Sequence, residues 1–83
     1  MREAIFRGDA RRQFAALTEA DQAEVQAIVS RLEIEPSING RTIFEAHWPP
    51  LVLRVFDNSI WRIMFQVPDD ATVAVFSIRR TWP

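Results

Sequence analysis

From residue 51 onward, apolar and polar positions alternate with a period of two. Residues 51–56, 60–67 and 72–80 each read as a strand under that alternation, which makes three strands in succession. Asp57-Asn-Ser59 and Pro68-Asp-Asp-Ala71 supply the residue types of the two connections, so the strands are predicted to form an antiparallel meander. The first half of the chain has a different period. Ala10, Phe14 and Leu17 fall on one stripe of a helix predicted over residues 10–17, with Asp9 as its N-cap. Val25, Ile28, Val29 and Leu32 repeat at the spacing of one buried helical face. Thr18 is placed to cap that second helix and Pro36 to stop it. Residues 4–7 predict a short first strand ended by Gly8, and residues 42–46 another after the turn signal Asn39-Gly40. His47-Trp-Pro-Pro50 is predicted to be irregular, because each proline fixes φ and removes a ladder donor.

Alternation also assigns faces. Trp61, Ile63, Phe65 and Val67 share one side of their strand, and Arg62, Met64 and Gln66 the other. Leu51, Leu53 and Val55 oppose Val52, Arg54 and Phe56; Ala74, Phe76 and Ile78 oppose Val73, Val75, Ser77 and Arg79. One consistent assignment gathers the bulky apolar set under the helices and puts Arg54, Arg62 and Arg79 together on the opposite side. The expected fold is therefore α+β: two N-terminal helices packed on a mostly antiparallel sheet of about four strands. Eighty-three residues make a single domain, spanning 1–83.

Composition narrows the function. Hydrophobic residues make up 48% and charged residues 25% of the chain, which excludes a disordered segment. There is no cysteine, so disulfides and thiolate metal sites are excluded, and neither metal nor cofactor is expected. No apolar run reaches the roughly 20 residues of a membrane helix, and the cytoplasm is the expected location. The net charge of −1 argues against a strongly basic nucleic-acid binder. All ten basic residues are arginine. Codon usage is the plain explanation, but arginine forks also bind phosphate and carboxylate bidentately. A sheet face carrying three of them is suited to an anion, unless they only pair with Asp57, Asp69 or Asp70 in solvent.

The order of short strand, helical hairpin and antiparallel strands resembles the RelE/ParE superfamily of bacterial toxins from type II toxin–antitoxin systems. Ile60-Trp-Arg-Ile-Met-Phe-Gln-Val67 is similar to that family's aromatic-Arg-apolar-apolar-aromatic-x-Val strand. Pro68-Asp69-Asp70 resembles its acidic turn, and Val73-Ala-Val-Phe-Ser-Ile-Arg-Arg80 its apolar strand with a basic end. The resemblance implies one of two activities: ribosome-dependent mRNA cleavage, as in RelE-like members, or inhibition of DNA gyrase without a nuclease site, as in ParE-like members. It places Arg62 at a phosphate-binding arginine, Arg79 or Arg80 at the basic residue ending the last strand, and Arg54 near basic residues of the preceding strand. It also implies a cognate antitoxin whose acidic segment covers the arginine face, in a hetero-oligomer with the toxin.

Metal-independent RNA cleavage needs a base for the 2′-hydroxyl and cations for the developing phosphorane charge. Arg54, Arg62, Arg79 and Arg80 are the candidates for the second role. His47, the one group titrating naturally near neutrality, and Glu45, two residues before it, are the candidates for the first. Trp82 is a candidate stacking platform. Tyrosine and lysine, used by some members of the family, are absent from the chain. The expected function is thus an mRNA endonuclease toxin acting with ribosome and mRNA. The alternatives are a non-catalytic gyrase inhibitor and a non-toxic interaction module.

Overall fold

The computed structural model describes residues 2–37, 40–47 and 50–81, with side chains described for 2–37 and 53–81. Asn39, Trp48, Pro49 and Trp82 lie outside the described residues. The elements run β1 (Glu3–Phe6), α1 (Asp9–Ala15), α2 (Glu19–Ile34), β2 (Gly40–His47), β3 (Pro50–Asp57), β4 (Trp61–Asp69) and β5 (Thr72–Arg80). The architecture is α+β, and the sheet has five strands in the order β1-β5-β4-β3-β2, one more than expected. β1 lies parallel to β5, and the other neighbours are antiparallel.

Local chemistry explains where the helices begin. Thr18 has an extended backbone and its hydroxyl accepts from the Asp21 N–H at 3.2 Å, so one of the four free donors of α2 is satisfied. Glu19 and Asp21 add negative charge to the first turn, where the helix dipole favours it. Thr18→Ala is expected to destabilise the domain by about 1 kcal/mol in urea unfolding; an unchanged midpoint would show that the cap contributes nothing. The start of α1 differs from expectation. Asp9 is its first residue, and the N-cap is Gly8 at φ 53, a backbone region that side chains with a Cβ rarely adopt. Asp9 pairs instead with Arg12 at 2.7 Å. The Gln22 carboxamide donates to the Phe14 carbonyl at 3.0 Å and ties the two helices together.

The core lies between the helices and one side of the sheet. Trp61, Ile63 and Phe65 of β4 and Val73, Val75 and Ile78 of β5 pack with Ala10, Val25, Val29 and Leu32. Burying these side chains is the main favourable contribution to folding. The outer edge of β1 is occupied by α2: the Arg2 N–H donates to the Glu33 carbonyl at 3.1 Å and the Ala4 N–H to its carboxylate at 2.7 Å.

Register changes two of the expected faces. Phe56 stands opposite Ile63 and is part of the core, so Arg54, opposite Phe65, lies on the helix side. Leu53, Val55 and Asp57, opposite Gln66, Met64 and Arg62, lie on the open side. Alternation within β3 holds, but its faces are inverted relative to expectation. In β5 the pairing passes from Met64↔Ser77 to Phe65↔Val75 and skips Phe76. That bulge resets the alternation, so Val73, Val75 and Ile78 all face the helices. His47 and Pro50, expected to be irregular, are paired strand ends. A proline is tolerated as the first residue of a strand, where it interrupts no ladder. The Asn58 side chain shapes the β3–β4 turn, accepting from Ile60 N–H at 2.8 Å and Trp61 N–H at 2.6 Å.

Candidate functional site

The open side of the sheet carries a row of charged residues across three strands. Asp57 of β3 stands opposite Arg62 of β4, and Arg62 opposite Arg79 of β5. Two arginines as direct cross-strand partners repel one another, an arrangement that costs stability unless an anion lies between them. The neighbouring row is Val55, Met64 and Ser77. Arg62, Met64, Ser77 and Arg79 together line a depression of about 210 Å³.

The chemistry of this depression follows from its lining. Two guanidiniums are permanently charged and present planar forks of N–H donors, which match the oxygens of phosphate or carboxylate. The Ser77 hydroxyl adds a neutral donor at the same place. Met64 provides an adaptable apolar floor. Arg62 is about half exposed and touches Asp57 at 3.3 Å, a long contact for a charged pair. Arg79 is exposed and has no carboxylate partner among the described residues.

Of the site residues singled out in the sequence, Arg62 and Arg79 are the two brought together among the described residues. Arg54 is on the other side of the sheet. Arg80, opposite Trp61, is on the helix side too. Its guanidinium donates to Asp21 of α2 at 2.8 Å and lies 5.1 Å from the centre of the Trp61 ring. It is a tie between the end of β5 and the start of α2. Glu45 pairs with Val52 and His47 with Pro50. Those partners are about 17 and about 23 Å along β3 from Asp57, at roughly 3.3 Å per residue. The structure therefore does not bring either candidate base to the arginine pair; their side chains are outside the described set. Among the described residues no group of three or more His, Cys, Asp or Glu is placed to hold a metal ion, and no helix is long and apolar enough to cross a membrane.

Ser77 and Asp57 are the site residues that the sequence reading did not assign a role. Ser77 precedes Arg79 by two, which is a signal for a shared face. Asp57 was expected only as a residue of the turn or as a solvent ion pair.

The Asp21–Arg80 tie has a pH signature. The hydrogen bond from Arg80 is the main cause holding the Asp21 carboxyl below its ordinary value of 3.8. A carboxyl whose folded value is depressed contributes stability that is present above its unfolded value and lost as pH falls through the folded one. Wild type is therefore expected to melt above Asp21→Asn at neutral pH. The gap should close as pH drops below about 4, followed by thermal unfolding in a pH series. A gap that persists at pH 2 to 3 would show that the tie is not ionic.

Comparison of the chain with protein-family models, with curated proteins and with solved structures finds no match.

Proposed function

We propose that this chain is the toxin of a type II toxin–antitoxin pair of the RelE/ParE kind and acts as an mRNA endonuclease on the ribosome. The observation that carries this reading is the register of Arg62 against Arg79 over a depression that also presents the Ser77 hydroxyl. The order β1, α1, α2 and then an antiparallel meander supports it, since the resemblance to that superfamily rests on the same order. In the proposed reaction the RNA 2′-oxygen attacks the adjacent phosphate and gives its proton to water, the P–O5′ bond breaks, and the leaving 5′-oxygen takes a proton from water, which leaves a 2′,3′-cyclic phosphate and a 5′-hydroxyl end. Arg62 and Arg79 hold the charge that builds on the phosphorane oxygens. Acceleration then comes from positioning and charge stabilisation. Arg54 and Arg80 have no part in it, because one lies on the helix side and the other is held by Asp21.

A cognate antitoxin fits the same face. Ile5, Leu53, Met64 and Phe76 are half-buried and are not packed against the main core. An acidic, partly apolar segment can pair with the two arginines and cover these side chains. Phe56, Val73 and Val75, which alternation placed on the arginine side, are in the core and take no part in this surface.

One observation favours a second reading, a non-catalytic ParE-like inhibitor of DNA gyrase: Glu45 and His47 are strand positions remote from Arg62. Induced expression in a bacterial host separates the outcomes. An endonuclease toxin arrests growth with a rapid fall in translation, relieved by co-expression of its antitoxin. A gyrase inhibitor arrests growth with a DNA-damage response while translation continues. Normal growth at high expression would overturn both.

A further inference from the structure

We infer that Asp57 is a built-in competitor for the anion at Arg62, so that phosphate enters the site by exchange with this carboxylate. The inference rests on reading Arg62 and Arg79 as an anion site. Asp57, Arg62 and Arg79 form one cross-strand row, with Arg62 in the middle. Its guanidinium therefore has a carboxylate on one flank and a second cation on the other.

Two observations identify the carboxylate contact as an exchangeable one. The Arg62–Asp57 separation is 3.3 Å, against 2.7 Å for Arg12–Asp9 and 2.8 Å for Arg80–Asp21. The Asp57 carboxylate meets one nitrogen of Arg62, Nη2, which leaves the rest of the fork available. One carboxylate on two guanidiniums leaves the row with a net positive charge, on the side of Arg79 where the depression opens. A phosphate seated there gains two forks and the Ser77 hydroxyl, and weakens the Asp57 contact as Arg62 turns toward it. Asp57 thus lowers the affinity of the empty site for small anions. A ligand that supplies several phosphates, such as an RNA strand, overcomes this more readily than a free phosphate ion does.

The test is an NMR titration of the full chain with inorganic phosphate, read at the guanidinium Nε–Hε signals of Arg62 and Arg79. Asp57→Asn removes the competing charge at nearly constant volume and is expected to tighten phosphate binding about two- to fivefold, the scale of one exposed ion pair. Asp57→Glu keeps the charge on a longer stem that reaches Arg62 more closely, and is expected to weaken binding. Opposite shifts in the two variants support competition, and a general loosening of the fold does not produce them. Weaker or unchanged binding in Asp57→Asn, or tighter binding in Asp57→Glu, overturns the inference and makes Asp57 a positioning group for Arg62. If phosphate moves neither arginine signal in wild type, the anion site itself is refuted, and the inference with it.

Discussion

Arg62→Ala is expected to slow mRNA cleavage on purified ribosomes by about 100- to 1000-fold, the loss seen when one preorganised donor to a developing oxyanion is removed. The same change should leave stability nearly intact. Arg62 is about half exposed, and its ion pair among the described residues is the 3.3 Å contact with Asp57, so its removal is expected to cost at most about 1 kcal/mol. Separation of the two effects is the informative part. A variant that is folded and inactive places Arg62 in the chemistry; one that loses activity only with its fold does not. Arg62→Lys keeps the charge without the planar fork and should recover only part of the rate. Arg79→Ala should resemble Arg62→Ala, and the double variant should be little worse than either alone, because residues that act on one group are not additive.

The second large effect concerns the fold. Phe65 is fully buried in the middle of β4, opposite Val75 on one side and Arg54 on the other. Phe65→Ala removes most of a ring from the interface between sheet and helices and leaves a cavity, at a cost of about 3–5 kcal/mol. A domain of this size has a total stability of roughly 4–12 kcal/mol, from about 0.05–0.15 kcal/mol per residue. The variant is therefore expected to lose a large part of its stability and to unfold at much lower urea. A loss under about 1 kcal/mol would mean that β4 is not the centre of the core.

Much of this arrangement was legible in the sequence, and the failures have particular causes. The period-two pattern of residues 60–67 gave β4 and its buried face correctly, since Trp61, Ile63 and Phe65 are all in the core. Thr18 and Pro36 marked the limits of α2 because capping and termination are local chemistry. Register is not local. Whether Arg54 or Val55 faces the helices depends on which residue of β4 stands opposite, and alternation within β3 is equally satisfied by both. The bulge at Phe76 is likewise invisible to a strict period of two. Arg80 looked like a second cation at the end of the last strand. Its role was set by Asp21, 59 residues earlier in the chain, which no spacing rule connects to it. The site was read as three arginines on one face; the structure keeps two and adds Ser77 and Asp57.

The most direct test is to map mRNA 5′ ends after brief induction of the wild-type chain and of the Arg62→Ala, Arg79→Ala double variant in a bacterial host. New 5′ ends within codons occupying the ribosomal A site are expected for wild type, and none for the double variant at equal protein level. Intact mRNA in arrested wild-type cells, or unchanged cleavage by the double variant, would contradict it.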